Sequence, residues 1–406
     1  MQPNQTGMFF FVVVTALLLI SMLGYRFLIG WSDFYRRRLF KYIFWILSLS
    51  ATVLFFAARN IRRAGEYSEL AVQGALYGTS IWLVGLCVLV VMIPFLYTAR
   101  RLFGRIRVKK ESVQNDDTSK QTPTISRRNF LGNAAVCLPM TSWLVSGGGI
   151  IHGDYYISVQ RHKLQYENLP TRLEGYKIAQ ISDTHIGPFF SMDKLERVLR
   201  MVSAEKPDML VITGDLIDDM DMLVPSMRKL QEFAVTLPQG VFYCLGNHEY
   251  IRNGVPAIRQ QWQGRASMYL LENAAMKLFD GERQVYMLGV DYPWPRAKQK
   301  AHDTRAEMLQ KATRGVPEDA FKIMLAHHPD FFDNCFEGGI ELALAGHTHG
   351  GQIAVGGKSI LPVTYKYMRG IYEQDGKIGY VNVGTGHWLP FRLGCPAEIS
   401  VFTLQK

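Results

Sequence analysis

The sequence predicts an α+β fold on mixed β-sheets, preceded by membrane-crossing helices. Three observations predict it. The first 110 residues hold three apolar runs near the ~20 residues that cross a bilayer. Further on, five short apolar runs each end on Asp, Asn or His. Later still, Asp-Gly pairs separate apolar runs, as in hairpins. Strand–helix alternation followed by hairpins favours mixed over purely parallel sheets. A chain of 406 residues, 48% hydrophobic, has room for both a core-bearing domain and membrane spans.

The apolar runs are Met8 to Tyr25, Leu39 to Ala58 and Leu70 to Ala99. Charges avoid their interiors and crowd at their ends, which marks spans rather than core helices. Arg36, Arg37, Arg38 and Lys41 separate the first two. Arg100, Arg101, Arg105, Arg107, Lys109 and Lys110 follow the third. Both groups are expected in the cytoplasm, with the N-terminus outside. Arg59, Arg62 and Arg63 oppose this, offset by Glu66 and Glu69. The membrane domain thus covers 1–110. Residues 111–128 read as a polar linker closing on Arg127-Arg128. The run Ser126-Arg127-Arg128-Asn129-Phe130-Leu131-Gly132 resembles a twin-arginine export motif placed internally. Residues 129–151 read as a fourth membrane segment or signal-anchor. No Ala-x-Ala cleavage pattern follows, so retention is expected. Cytoplasmic arginines here place the rest of the chain outside.

The five junctions share one grammar. Ile178–Ser182 runs into Asp183-Thr184-His185. Met209–Thr213 runs into Gly214-Asp215-Leu216-Ile217-Asp218. Val241–Leu245 runs into Gly246-Asn247-His248-Glu249. Ile323–Ala326 runs into His327-His328-Pro329-Asp330. Ile340–Ala345 runs into Gly346-His347-Thr348-His349-Gly350. Buried strands look like this when a site sits at their C-terminal edge. Carboxylate, amide and imidazole without thiolate describe an N/O metal site. Asp183, His185, Asp215, Asn247, His327, His347 and His349 are too many ligands for one ion. Two ions about 3.5–4 Å apart would share them, one carboxylate bridging.

These blocks resemble the five-block signature of the calcineurin-like metallophosphoesterases, over residues 155–406 and in the same order. The resemblance implies that Asp183, His185 and His349 bind one ion. It implies that Asn247, His327 and His347 bind the other, with Asp215 between them. His327 rather than His328 is expected as ligand, because the family's ligand stands two residues before the proline. His248 takes the place of the general acid, with Asp218 or Glu249 as orienting partner. The implied fold is a four-layer αββα sandwich of two mixed sheets. The segments Tyr365–Tyr372, Asn382–Gly386 and Arg392–Ile399 resemble a bacterial branch that is often membrane-anchored or exported through the twin-arginine route. Lys366, Arg369 and Arg392 are candidates to meet a substrate phosphate, the last two foremost. His387 is a candidate cleft residue, while His152, His162 and His302 are expected to face solvent.

Local patterns support the sandwich. Ser191 can cap a helix whose Leu195, Val198, Leu199 and Val202 share one face. Val224, Met227, Leu230 and Ala234 form a second stripe. Asp280-Gly281 separates Met276–Phe279 from Val285–Val290, and Asp375-Gly376 separates Ile371–Gln374 from Ile378–Val383.

The net charge of +10 is carried largely by membrane-flanking arginines, without a basic–aromatic array for nucleic acid. Five cysteines form no Cys-x-x-Cys pair; Cys335 and Cys395 can pair in an oxidising compartment. The reading is a metal-dependent phosphoric ester hydrolase of diester or pyrophosphate bonds, acting through a metal-bridging hydroxide. Its cofactors are two divalent ions, Mn, Fe or Zn ahead of Mg. It sits in the inner membrane as a multi-pass protein, catalytic domain on the periplasmic or extracytoplasmic side. The bilayer and a lipid or cell-envelope phosphoester are its expected partners, nucleic acid is not. Two readings stand beside it: a cytosol-facing UDP-diacylglucosamine-type lipid pyrophosphohydrolase, and a non-enzymatic membrane binding module.

Overall fold

The computed structural model describes residues 3–64, 69–111, 136–294, 298–360 and 365–406. The linker and the twin-arginine-like motif lie outside these residues. The chain divides into two compact units, Met1–Ile151 and His152–Lys406.

The first unit contains α1 (Pro3–Trp31), α2 (Arg38–Ala64) and α3 (Glu69–Glu111). Among the described residues, three helices are long and apolar enough to cross a membrane, at Phe11–Trp31, Arg38–Ala58 and Leu70–Arg101. They pack on one another through Phe27, Leu28, Phe44, Leu86 and Leu89. Leu39, Ile46, Val53, Val91 and Phe95 point outward, as lipid-facing residues do. Of the expected segment at 129–151, the described part forms a short 3-10 turn and then α4 (Thr141–Tyr155), a 15-residue helix.

The second unit is built on two six-stranded sheets. The first runs β1 (Ile157–Gln165), β14 (Ala397–Gln405), β2 (Lys177–Ile181), β3 (Met209–Thr213), β4 (Val241–Cys244), β5 (Met268–Leu270). Only the β14–β2 pair is antiparallel. The second runs β12 (Gly370–Gln374), β13 (Lys377–Val381), β9 (Leu342–Ala345), β8 (Phe321–Leu325), β7 (Val285–Gly289), β6 (Ala274–Phe279), antiparallel at its two outer pairs. Both sheets are therefore mixed. A small hairpin, β10 (Ala354–Val355) with β11 (Lys358–Ser359), stands apart.

Period-two alternation builds the layers. Ile178, Met209, Val211 and Phe242 face Val285, Phe321, Ile323 and Leu342 between the sheets. Ala179, Ile181, Leu210 and Ile212 turn the other way, against α5 (Met192–Ala204), α6 (Leu223–Ala234) and, after the short α7 (Asn247–Ile251), α8 (Val255–Trp262). Leu288, Met324 and Ala343 pack against α9 (Lys298–Ala312) and α10 (Phe331–Glu337). Strands covered on both faces read as continuous apolar runs, and so these do.

Ser191 caps α5, accepting from the Lys194 amide at 3.3 Å, and the four expected apolar residues are buried. In α6 the expected stripe is corrected. Val224 is exposed, and Leu223 and Phe233 are buried in its place, because the helix starts at Leu223 and its inner face begins there. The Asp375-Gly376 turn has both residues left-handed (φ 51° and 72°), as a two-residue hairpin turn requires.

Candidate metal centre

Strands β2, β3, β8 and β9 are parallel neighbours within their sheets, so their C-terminal ends share one edge of the sandwich. Their following loops deliver the candidate ligands there. A Cβ at Gly246 would collide with the Asp215 carboxylate, and one at Gly346 with Ser182 and Asp183. Glycine at these two positions lets the loops close on each other.

Three groups of ligand atoms gather within 4.8 Å: Asp183, His185 and His349; His185, Asp215 and His248; Asp215, His327 and His347. Asp215 and His185 each belong to two. Asn247 joins through its Oδ1, 3.1 Å from His327 Nε2. All seven predicted ligand residues therefore meet. His327, not His328, stands beside Asp215, at 3.3 Å. His328 turns toward Tyr292 and Tyr365, and burial, Arg305 and His327 bring its pKa down to about 3.

The donor set fits cations. Nε2 of His185 faces Nε2 of His349 at 3.2 Å, and Nε2 of His327 faces Nδ1 of His347 at 3.1 Å. Ring nitrogens that converge in pairs beside carboxylates suit a shared cation. His327 Nδ1 donates to the Thr213 carbonyl at 2.7 Å, leaving Nε2 for a cation. Nδ1 of His185 lies 3.5 Å from Asp218 Oδ1, and its Nε2 faces the other ligands.

Electrostatics follow from crowding. Burial pushes Asp183 up, aided by Asp215's charge. Burial opposes ionisation of Asp215 too, but His327 and His248 outweigh it and hold that carboxyl well below the usual range. Burial pulls His248 and His327 down, yet Asp215 and its neighbours push them up to about 9 and about 10. Burial pulls His347 and His349 well below the usual imidazole range, helped by His327 beside the first and by the Arg392 guanidinium beside the second.

His248 keeps part of its surface open, with 18% of its side chain exposed. Its Nδ1 lies 2.6 Å from Asp218 Oδ1, and its backbone amide donates to Asp215 Oδ1 at 2.8 Å. Of the two expected partners, Asp218 is the one in contact. Glu249 works elsewhere, accepting from the amides of Asp215, Leu216 and Gly246 at 3.1, 2.7 and 2.8 Å. It ties two ligand loops together.

The expectation that Arg392 meets a substrate is corrected. Its side chain is fully buried and its guanidinium donates to the Val383, Gly384, Gly386 and Cys395 carbonyls. It stands behind the site, with Nη2 3.3 Å from His349 Nδ1. Arg369 is half-buried, and Lys366 pairs with Asp333 at 2.6 Å on the surface. His387 is buried rather than lining the cleft, with Nε2 3.4 Å from Asp154. His162 is half-buried and stacks on Phe402 instead of facing solvent. Cys335 and Cys395 are both free and buried in different clusters.

Sequence reasoning missed Ser182, which donates to Asp183 Oδ2 at 2.5 Å, and Tyr365, 3.0 Å from His347 Nε2. It also missed the backbone. Asp183, His185, Asp215, His347 and His349 all hold left-handed φ, from 49° to 75°. Non-glycine residues take that conformation at a cost of order 1–3 kcal/mol, and they concentrate at functional sites. Polar residues directly after strands were the available signal, but no residue type encodes this conformation by itself.

Comparison with known proteins agrees with this geometry. The model of the calcineurin-like phosphoesterase family matches residues 176–351. An uncharacterized metallophosphoesterase of Bacillus subtilis, YkuE, is 30% identical over 304 residues, 70% of this chain and 98% of the relative. One from Aquifex aeolicus is 31% identical across 62% of this chain and 93% of its own length. A Danio rerio protein, named a transmembrane protein with metallophosphoesterase domain, is 28% identical over 60% of this chain and 56% of that relative. The chain is a member of the calcineurin-like phosphoesterase family.

Proposed function

We propose that the protein is a membrane-anchored phosphodiesterase or pyrophosphohydrolase that works with two divalent cations, Mn, Fe or Zn ahead of Mg. The observation that carries this reading is the sharing of Asp215 between two neighbouring ligand groups. Asp183, His185 and His349 are the proposed set for one ion, and Asn247, His327 and His347 for the other, with Asp215 bridging. Such a pair supplies positive charge to the phosphoryl oxygens and eases ionisation of water at neutral pH. The chain's own residues do the rest. Ser182 and the His347 amide, at 2.5 and 3.0 Å, fix the Asp183 carboxylate. Asp218 holds the His248 ring so that its other nitrogen can give a proton to the departing oxygen. Such a donor suits a substrate with a poor leaving oxygen, such as an alkyl diester.

The apolar helices support membrane association, and the substrate is proposed to come from lipid or the cell envelope. The proposed placement is the inner membrane, catalytic unit outside, from the arginine distribution in sequence. The cytosol-facing lipid pyrophosphohydrolase is the second reading, and reporters fused after Lys110 and after Lys406 separate the two. The chemistry is tested on the full chain in detergent, stripped of metal and then given Mn²⁺, Zn²⁺ or Mg²⁺. Bis-p-nitrophenyl phosphate is expected to turn over only with metal and faster than p-nitrophenyl phosphate, and Asp215→Asn is expected to abolish turnover. Undiminished hydrolysis by the stripped protein or by the variant would sink the reading.

A further inference from the structure

The metal turn continues directly into an apolar surface. His349 is followed within five residues by the β10–β11 hairpin, whose tip is Gly356-Gly357 with φ 55° and 78°. Val355 on this hairpin is 68% exposed and Ile360 just after it 58%. Alongside lies the segment 388–394, where Trp388 is 44% and Leu393 43% exposed. Backbone bonds bind these segments into one sheet-like patch: the Ile360 amide donates to Ile353 O at 3.1 Å, and the Ala354 amide to Leu393 O at 2.8 Å. Ile353 and Leu393 form a bridge, and Gln352 Nε2 donates to Leu389 O at 3.1 Å. Water-facing hairpin tips are usually polar, and this one carries two large aliphatic residues beside a tryptophan.

Two further observations say what covers the patch. First, its charge has one sign. No Asp or Glu occurs between Glu341 and Glu373, nor between Asp375 and Glu398, whereas the exposed Lys358 lies on the hairpin itself. Tryptophan and aliphatic residues with lysine beside them and no acid match an anionic lipid surface. Second, the chain enters this unit at the same edge. A Cβ at Gly153 would lie 3.1 Å from Arg392 and 3.2 Å from Pro390 O, and Tyr155 and Tyr156 just after it are exposed. The residues immediately before Gly153 belong to the apolar helix α4.

We infer that the hairpin 353–360, with Trp388 and Leu393, seats on the bilayer interface and turns the metal site toward phosphoesters of membrane-embedded amphiphiles. This rests on the phosphoesterase reading for its substrate class, though not for the seating itself. Insertion of aliphatic side chains at the tip anchors the site's rim at headgroup depth, where such a phosphoester lies.

The test uses the full chain, with Cys87→Ser and Cys137→Ser, reconstituted in phosphatidylcholine–phosphatidylglycerol vesicles. Nitroxide labels at Val355→Cys and Trp388→Cys are compared with one at Asp375→Cys, at the turn before β13, the end of that strand away from the site. The first two are expected to relax faster with dissolved oxygen than with a water-soluble nickel complex, and the third the reverse. Equal nickel accessibility at all three positions overturns the seating. In parallel, Val355→Asp with Ile360→Asp is expected to lower hydrolysis of a vesicle-embedded, fluorescent-headgroup phosphatidylethanolamine roughly tenfold. Turnover of bis-p-nitrophenyl phosphate by the same variant is expected to stay at the parent level, which shows that the variant is folded. An equal loss on both substrates, or on neither, overturns the substrate class. Lipid-shielded labels on a protein that hydrolyses neither substrate leave the seating standing and reject the phosphoesterase reading alone.

Discussion

His248 Nδ1 and Asp218 Oδ1 stand 2.6 Å apart, at the one ring of the cluster that is not placed in a proposed ligand set. Asp218 also reaches Arg252, at 3.3 Å, and Nδ1 of His185 at 3.5 Å, so the carboxylate is shared between the open ring and a buried one. Loss of His248 is expected to slow hydrolysis of an alkyl diester by roughly 10²–10⁴-fold, and far less for a nitrophenyl diester whose leaving oxygen needs no proton. Asp218→Asn is expected to lose roughly 10–100-fold with metal content unchanged. Equal losses on both substrates in His248→Ala would remove the proton-donor role.

Metal content tests the shared carboxylate. The parent chain is expected to retain two ions per chain after gel filtration in Mn²⁺, and Asp215→Asn one or none. At free metal about 100-fold above Kd, binding is expected to stabilise the parent by about 2.7 kcal/mol per ion bound, read from chemical denaturation with and without chelator. A variant with full stoichiometry and full stabilisation argues against a bridge.

Glu249 is fully buried and holds the amides of two ligand loops. Glu249→Gln leaves at least one of those amides without a matching acceptor, at a cost on the order of 1–3 kcal/mol. Because those amides lie in the loops that carry Asp215 and Asn247, metal affinity is expected to weaken together with stability. A stability loss with unchanged metal titration would confine Glu249 to a packing role.

Acid stability reports on Asp154. Burial alone would raise its pKa, but His387 and Lys194, the latter at 2.7 Å, bring it down to about 2. The folded value lies below the unfolded one of ~3.9. The pair's contribution is therefore complete above pH ~4 and is lost as pH falls through about 2. It amounts to on the order of 2 kcal/mol. The stability gap between the parent and Asp154→Asn is expected to close across that window, followed by urea unfolding at stepped pH. A gap that stays constant from pH 5 to 2 contradicts the pairing.

Arg392 separates a substrate role from a structural one. Arg392→Met leaves four buried carbonyls without their cation, at a cost of about 3 kcal/mol or more. KM for bis-p-nitrophenyl phosphate is expected to hold at the parent value in the folded fraction. A raised KM without lost stability would restore the substrate contact.

The ligand residues were legible because each stands at a fixed place after an apolar run, and a parallel strand order turns that local pattern into a shared edge. The helix under Ser191 and the Asp375-Gly376 turn were legible for the same local reasons. What escaped was non-local. Val224 and Leu223 are adjacent and equally apolar, so only the helix start decides which is buried. Arg392 sits in the chain like any surface cation, and its burial depends on carbonyls of the 383–386 loop. Glu249 follows His248 directly, yet its partners lie 33 and 34 residues away in the Asp215 loop.

The placement of β14 carries a consequence in time. This strand, at residues 397–405, lies between β1 and β2 and pairs with both. Thr385, whose hydroxyl donates to Glu398 O and whose amide donates to Ser182 O, then links that strand to the Asp183 loop. During synthesis the sheet stays open until those residues have emerged, with β1 unpartnered on that side. The sheet that carries the Asp183, Asp215 and Asn247 loops is therefore completed only when the last strand is in place, and the Asp183 loop gains its Thr385 link with it.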